Sequence, residues 1–389
     1  MADSSKDTGV DTRCVHGARH LFEPLTGAVS VPIYQCATFR HGGLGESTGF
    51  DYTRVINPTR LALEETVAAL ERGKYALAFA TGMGAISAMI KLFVPAKEEA
   101  VHVIVSEDLY GGTYRLFNEY YANFGFEFSW VDTSVPEKVG AAVRSNTKAL
   151  FVETPSNPMM KVTDIQKCAH LIHGHGGVLI VDNTFLTPCF QNPLDLGADF
   201  VIHSGTKYLA GHNDTLAGFI VHSNDLCEDR LRNIQKSEGA TLSPFDAWLT
   251  LRGIKTLALR MEKHRTNGKL VAEALRGHPK VEKVFYTGFP DHPQYALSSA
   301  QTRGHSGLLS FYVKDKKDAE RVLKNVSLVL FAESLGGVES LITYPLVQTH
   351  SAIPEAMRRA SGVNDRLLRV SVGIENPQDI IADICQALG

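Results

Sequence analysis

No stretch of this 389-residue chain runs to about 18 uninterrupted apolar residues, so the sequence offers no helix that would span a bilayer. Cysteine is sparse. Cys14, Cys36, Cys168, Cys189, Cys227 and Cys385 form no CxxC pair and have no metal-ligand spacing. The pair His173-Gly-His175 has no HExxH beside it and reads as surface turn residues, so no metal is expected. A net charge of −3 gives no electrostatic case for nucleic acid or an anionic membrane as partner. The opening Met-Ala-Asp-Ser-Ser-Lys-Asp lacks the apolar core of a secretory signal, and a cytoplasmic protein with reduced thiols is expected. Neither nucleotide fingerprint is complete. A GxGxxG counted from Gly82 would need glycine where Ser87 stands, and no GxxxxGK[ST] occurs.

What is present is an ordinary soluble composition, 44% hydrophobic and 21% charged, in a chain long enough for a large domain and a smaller one. Residues 1–58 are irregular, with weak periodicity. From Thr59 a helical pattern, apolar at Leu61, Leu63, Val67 and Leu70, runs to Gly73. Strand patterns follow at Ala76-Phe79, His102-Val105, Phe126-Val131, Ala149-Val152, Val178-Val181, Phe200-His203 and Ala217-Val221. Helical patterns such as Gly84-Phe93, Tyr114-Asn123 and Asp164-His173 lie between several of them. This alternation predicts an α/β fold with a mainly parallel seven-stranded sheet, whose ligands bind at the carboxyl ends of strands. A helical stretch at about Pro244 to Leu275 leads out of that domain. Val281-Tyr286, Leu308-Tyr312, Leu328-Ala332, Leu368-Ser371 and a closing helix, Pro377-Leu388, read as a smaller α+β domain. The division expected is 1–58, 59–255 and 256–389.

The segment Ser204-Gly-Thr206-Lys207 follows an apolar run, and an earlier run, Gly177-Val181, ends in Asp182-Asn-Thr184. A lysine and an aspartate at the ends of successive strands of one sheet would share a rim. Such a pair suits pyridoxal 5'-phosphate: the amine forms a Schiff base with the aldehyde, and the carboxylate keeps the ring nitrogen protonated. Singly, each is most simply an exposed lysine or a strand-end aspartate. Ser204 and Thr206 lie where a phosphate would sit, and Thr81-Gly82-Met83-Gly84 opens a helix whose N–H groups suit an anion. Tyr110, beside two glycines, would stack on a cofactor ring or pack at a turn. Asn157 stands in a loop stiffened by Pro155 and Pro158. Arg369, inside an apolar strand, meets either an internal acid or a ligand carboxylate.

From about residue 10 onward the chain resembles the Cys/Met-metabolism branch of pyridoxal-phosphate enzymes, fold type I. The motifs that carry the likeness are Asp51-Tyr-Thr-Arg54, Asn57-Pro-Thr-Arg60, Leu109-Tyr-Gly-Gly112, Glu153-Thr-Pro-Ser-Asn-Pro158, Asp182-Asn-Thr184, His203-Ser-Gly-Thr-Lys207 and Glu333-Ser-Leu-Gly-Gly-Val-Glu-Ser-Leu341. Phe39-Arg-His41, Gly211-His-Asn-Asp214 and Gln348-Thr-His350 make it most similar to the cystathionine γ-synthase and O-acetylhomoserine thiol-lyase type. Gly205 replaces a frequent alanine, without expected harm, and Gly112 stands where methionine γ-lyases carry cysteine.

The resemblance implies that Lys207 is the Schiff-base lysine and proton shuttle, with Asp182 on the ring nitrogen, Tyr110 stacked above and Thr184 beneath. Gly82, Met83, Ser204 and Thr206 would hold the phosphate. Tyr52 and Arg54, in an N-terminal arm, would reach the phosphate of a neighbouring subunit, making a dimer the catalytic unit and a homotetramer the expected assembly. Arg369, Asn157 and Ser340 would grip the carboxylate of a small amino-acid substrate, with Glu339 beside it as in many γ-acting members. The reaction implied is γ-replacement on an O-acylhomoserine by cysteine or sulfide. Cystathionine γ- or β-lyase activity is the alternative, since the stretch from Ser237-Glu-Gly to Leu251-Arg-Gly-Ile is similar to the lyases as well.

Overall fold

Runs rich in Val, Ile, Leu and Phe form the strands, because a strand covered on both faces buries every side chain and needs no polar alternation. In the computed structural model, which describes residues 8–17, 26–94 and 99–389, they are β1 (Tyr75–Phe79), β2 (Val101–Ser106), β3 (Phe126–Val131), β4 (Thr147–Glu153), β5 (Val178–Asp182), β6 (Phe200–Ser204) and β7 (Gly218–His222). All six residues of β2 and all five of β7 are buried. The order is β1-β7-β6-β5-β4-β2-β3 in one seven-stranded sheet. β2 pairs in parallel with β3 and β4, and β4 with β5. β7 is antiparallel to both β1 and β6. A parallel return needs a crossover, usually a helix; residues 205–217 hold turns instead, so the chain doubles back.

The chain divides into two compact units, Met1–Phe93 with Asp199–Ala258, and Val94–Ala198 with Leu259–Gly389. In the first, Asn57 caps the helix Pro58–Glu71 by accepting from the N–H of Thr59 and Arg60, and Pro58 supplies its first turn. The helix Asp225–Glu238, which the sequence reading passes over, is mostly polar and buries Leu231 and Gln235 alone. The expected helix from Pro244 to Leu275 is two helices, Pro244–Ile254 and Leu257–Arg276. At the break Thr256 turns both its N–H and its hydroxyl back to the Gly253 carbonyl, at 3.2 and 3.1 Å.

In the second unit, the stretch expected as one helix from Tyr114 to Asn123 is a short α-helix, Gly111–Arg115, then a π turn and a 3-10 turn. Its Gly-Gly-Thr-Tyr start and run of aromatics are weak helix formers. The rings pack on β3 instead, Phe117 stacking on Phe128 at 4.8 Å. The same unit also carries a five-stranded sheet with strands β8 (Val281–Phe285), β9 (Leu308–Val313), β10 (Leu330–Phe331), β11 (Leu341–Thr343) and β12 (Leu367–Ser371). Their order is β10-β11-β12-β9-β8. Leu309, Phe311, Leu368 and Val370 form its core with Ala319, Val322, Ile380, Ile384 and Leu388 from the covering helices.

One carboxylate clips this layer. Asp383, on the helix Pro377–Leu388, accepts the N–H groups of Ser327, Leu328 and Val329 at 2.9, 3.0 and 2.8 Å, and the Ser327 hydroxyl at 2.9 Å. Burial opposes its charge, but these donors outweigh burial and hold the carboxyl below its ordinary value. A depressed carboxyl stabilises the fold above its unfolded pKa, and that gain is lost as pH falls through the folded one. Asp383→Asn is therefore expected to cost roughly 1–2 kcal/mol near neutral pH. Urea melts should show the gap from wild type closing below about pH 4.

Candidate active site

Each unit carries one group of the residues singled out in the sequence. In the first unit, β6 ends at Ser204 and the chain turns at once: the Lys207 N–H reaches the Ser204 carbonyl at 3.3 Å. The Thr206 hydroxyl donates to the Ala217 carbonyl at 3.3 Å and accepts the Ala217 N–H at 3.1 Å, pinning this turn to the entry of β7. Thr81 caps the helix Gly82–Ile90, its hydroxyl accepting the Gly84 N–H at 2.9 Å. That leaves the N–H groups of Gly82 and Met83 in a first helical turn, where no intrahelical acceptor exists.

Three backbones converge here. A methyl on Gly82 would stand 3.0 Å from Ser204 Cβ, and one on Gly218 would stand 2.7 Å from the Gly82 nitrogen and overlap the Thr81 carbonyl. Gly205 is packed just as closely. A methyl there would overlap the Phe219 ring, so in this chain the ring fills the space that alanine would need. In the same unit Tyr52 is 44% exposed, and the Arg54 guanidinium lies 5.5 Å from its ring centre.

In the second unit the carboxyl ends of β2, β4 and β5 carry the other group. Tyr110, 41% exposed, opens the helix Gly111–Arg115, and its N–H donates to Glu153 Oε2 at 3.0 Å. The Tyr110 ring occupies the volume that a side chain on Gly112 would fill. Asp182 Oδ1 accepts the N–H and hydroxyl of Thr184 at 3.0 and 2.5 Å, so threonine orients the aspartate. On β12, Arg369 is buried, and its guanidinium donates to Asn157 Oδ1 at 2.9 Å, the Ser334 carbonyl at 3.0 Å and the Thr343 hydroxyl at 3.3 Å. Three neutral acceptors thus aim this cation.

Asn157 is itself held. Its carbonyl accepts from His350 Nε2 at 3.0 Å, and burial pushes the His350 pKa down to about 4, so the ring is neutral. Ser340 is engaged differently from the expectation of a free carboxylate donor. Its N–H and hydroxyl donate to the Glu375 carboxylate at 2.6 and 3.0 Å, and its oxygen accepts the Gly373 N–H at 2.8 Å. Glu339, the preceding residue, is exposed. The sequence reading gave no role to Asp108, Glu153 or Glu375. The available signal was an acid at, or just after, the end of a buried strand (Asp108 and Glu153), but only the tertiary fold supplies partners.

Residues 11–389 match the family described as Cys/Met metabolism PLP-dependent enzyme. The chain is 51% identical to the cystathionine gamma-synthase of Haemophilus influenzae over 364 residues, 93% of each protein. It is 46% identical to a cystathionine gamma-lyase of Bacillus subtilis over 363 residues, 93% of this chain and 95% of that one. Among solved structures, a cystathionine gamma-lyase from Lactobacillus plantarum complexed with L-serine superposes with a TM-score of 0.94 at 39% identity, covering 98% of both chains.

The residues present fit pyridoxal phosphate. The helix start at Gly82 is a cradle that stays open only because no Cβ fills it, and helix N-termini of this kind hold phosphate. Gly218→Ala should close that cradle from below. Overpacking costs about 1–3 kcal/mol, so melting temperature and pyridoxal-phosphate affinity should fall together, read by melting curves and spectrophotometric titration. Gly140→Ala, inside the helix Pro136–Ala142 with its added carbon meeting only Leu171 at 3.9 Å, is the control and should lower neither.

Proposed function

The chain belongs to the Cys/Met-metabolism family of pyridoxal-phosphate-dependent enzymes of trans-sulfuration, and from that premise we propose that it catalyses γ-replacement on an O-acylhomoserine. Cysteine as nucleophile gives cystathionine; sulfide gives homocysteine. The observation that carries an amino-acid substrate is Arg369, a buried guanidinium aimed by Asn157, Thr343 and the Ser334 carbonyl. Its planar fork matches a carboxylate in two bonds. What favours the synthase over the lyases is the 51% identity to a γ-synthase, with the exposed Glu339 one residue before Ser340.

In this reading pyridoxal phosphate, when bound, supplies an electron sink that makes protons on Cα and Cβ removable. Lys207 would hold the cofactor at rest, and its amine, once freed, would take and return protons at Cα and Cβ of the substrate. Asp182, oriented by Thr184, would support the charge on the ring nitrogen, and Tyr110 would stack on the ring. Gly82, Met83, Ser204 and Thr206 would hold the phosphate. The Cγ–O bond breaks with its electrons leaving on the acyl carboxylate, and the thiol, giving up its proton to solvent, bonds through sulfur to Cγ. Lys207 then returns the protons to Cβ and Cα. Tyr52 and Arg54, exposed on the arm of residues 1–58, serve the phosphate of a neighbouring subunit, so the working unit is a dimer within a tetramer.

Product analysis tests the reaction. O-acetyl- or O-succinylhomoserine with cysteine should yield cystathionine faster than cystathionine alone yields an α-keto acid and ammonia. The reverse ranking makes the protein a lyase. Arg369→Lys tests the carboxylate grip. A point charge cannot make both bonds, and losing one charge-assisted bond costs about 1.5–3 kcal/mol, so kcat/KM should fall roughly 10- to 150-fold, mostly through KM. A lowered melting temperature with normal kinetics on the folded fraction would instead make Arg369 a structural residue.

A further inference from the structure

We propose that Glu153 is a positioning residue of this reaction centre: its buried carboxyl anchors the Tyr110 loop and shares with Asp182 a single negative charge, which stays on Asp182. The inference rests on the roles proposed above for Asp182 and Tyr110. Glu153 and Asp182 are direct partners in the parallel ladder of β4 and β5. Paired residues of neighbouring strands, about 4.8 Å apart, send their side chains to the same face of the sheet. Glu153 is 5% exposed and accepts the Tyr110 N–H at 3.0 Å.

Two acids so close do not both ionise, and the proton goes to the one whose charged form is less well supported. Asp182 is the better supported, since a single oxygen accepts both the N–H and the hydroxyl of Thr184. Glu153 is deeply buried with a backbone N–H donated to it. The charged groups facing it come from three elements: Asp182 on β5, Asp108 beyond β2 and Arg369 on β12. Desolvation pushes the Glu153 carboxyl well above its ordinary value, the charges of Asp182 and Asp108 push further, and the Tyr110 N–H and Arg369 oppose them without prevailing. A neutral Glu153 leaves Asp182 to carry the charge that a protonated ring nitrogen requires, and leaves the backbone of Tyr110 fixed.

The sign for stability follows. A carboxyl with a raised folded pKa contributes fully below its unfolded value, and the contribution is lost as pH rises toward the folded one. Melts of cofactor-free protein from about pH 5 to about pH 9 should therefore show Glu153→Gln gaining on wild type as pH rises. In the cofactor-loaded protein, Glu153→Ala should weaken pyridoxal-phosphate affinity by about 10-fold. Glu153→Gln should restore it to within about threefold, because an amide oxygen still accepts the Tyr110 N–H.

A melting-temperature gap that stays constant with pH, or a glutamine variant binding as weakly as the alanine one, would overturn the proposal. If neither variant folds, the wild type decides. Burial pushes the Asp108 pKa up to about 6, so an infrared band of a protonated carboxylic acid should persist at about pH 8, where Asp108 has ionised. Its absence there refutes a neutral Glu153. Failure of the γ-replacement reading would appear in the products and leave these melts and this band unchanged.

Discussion

Three parallel strands, β2, β4 and β5, carry most of the second unit's candidate site residues at or just past their ends. Parallel pairing holds β4 and β5 in register through Glu153 and Asp182, and β2 leads through Asp108 to Tyr110. Beyond these ends the backbone leaves the ladder, so its next polar groups must be satisfied by side chains. Asp108 does this for two loops at once. Its carboxylate takes the Ser156 hydroxyl and the Met159 N–H, the latter at 3.2 Å, which ties the stretch before Tyr110 to the stretch bearing Asn157. Glu153 closes the same circuit from the other side through the Tyr110 N–H.

Buried charge in this unit is distributed with a purpose that single residues do not reveal. Arg369 is oriented by neutral oxygens. His350, whose protonation would place a second cation near it, is kept neutral by burial and acts as a hydrogen-bond donor to the Asn157 carbonyl. Lys161, by contrast, spans Glu107 and Asp132 at 3.2 and 2.9 Å, a half-exposed network that secures the same loop at the surface. One loop is thus held by a buried guanidinium at Asn157 and by a half-exposed lysine network at Lys161.

The first unit solves another problem, bringing three stretches of backbone close together. Gly82 and Gly218 permit approaches that any side chain would block, and the Thr206 hydroxyl fastens the lysine turn to the start of β7. Backbone dipoles at the helix start add a positive field there, and the close approach depends on the absence of side chains at Gly82 and Gly218.

Much of this architecture was legible in the linear chain. Buried strands announce themselves as Val- and Ile-rich runs, and 11 of the 12 strands among the described residues were anticipated, with small shifts at their ends. Lys207 and Asp182 stand out in the sequence because strand ends are where α/β proteins place ligands, and the family that the motifs suggest is the one whose model matches residues 11–389. The strand Leu341–Thr343 was missed because three residues are too few to show a period. The break after Ile254 was missed because a threonine bonding back to Gly253 leaves hydropathy unchanged. Engagement of Ser340 by Glu375 lies 35 residues away in sequence, beyond any local pattern. The sequence by itself therefore determined the strands, the family and the cofactor, all of which rest on local burial patterns and contiguous motifs. Tertiary structure alone decided which acid faces which acid, which histidine is neutral and which serine is already occupied. Protonation and orientation are set by groups brought together across the chain, and a buried charge answers to neighbours in space, whatever their distance in sequence.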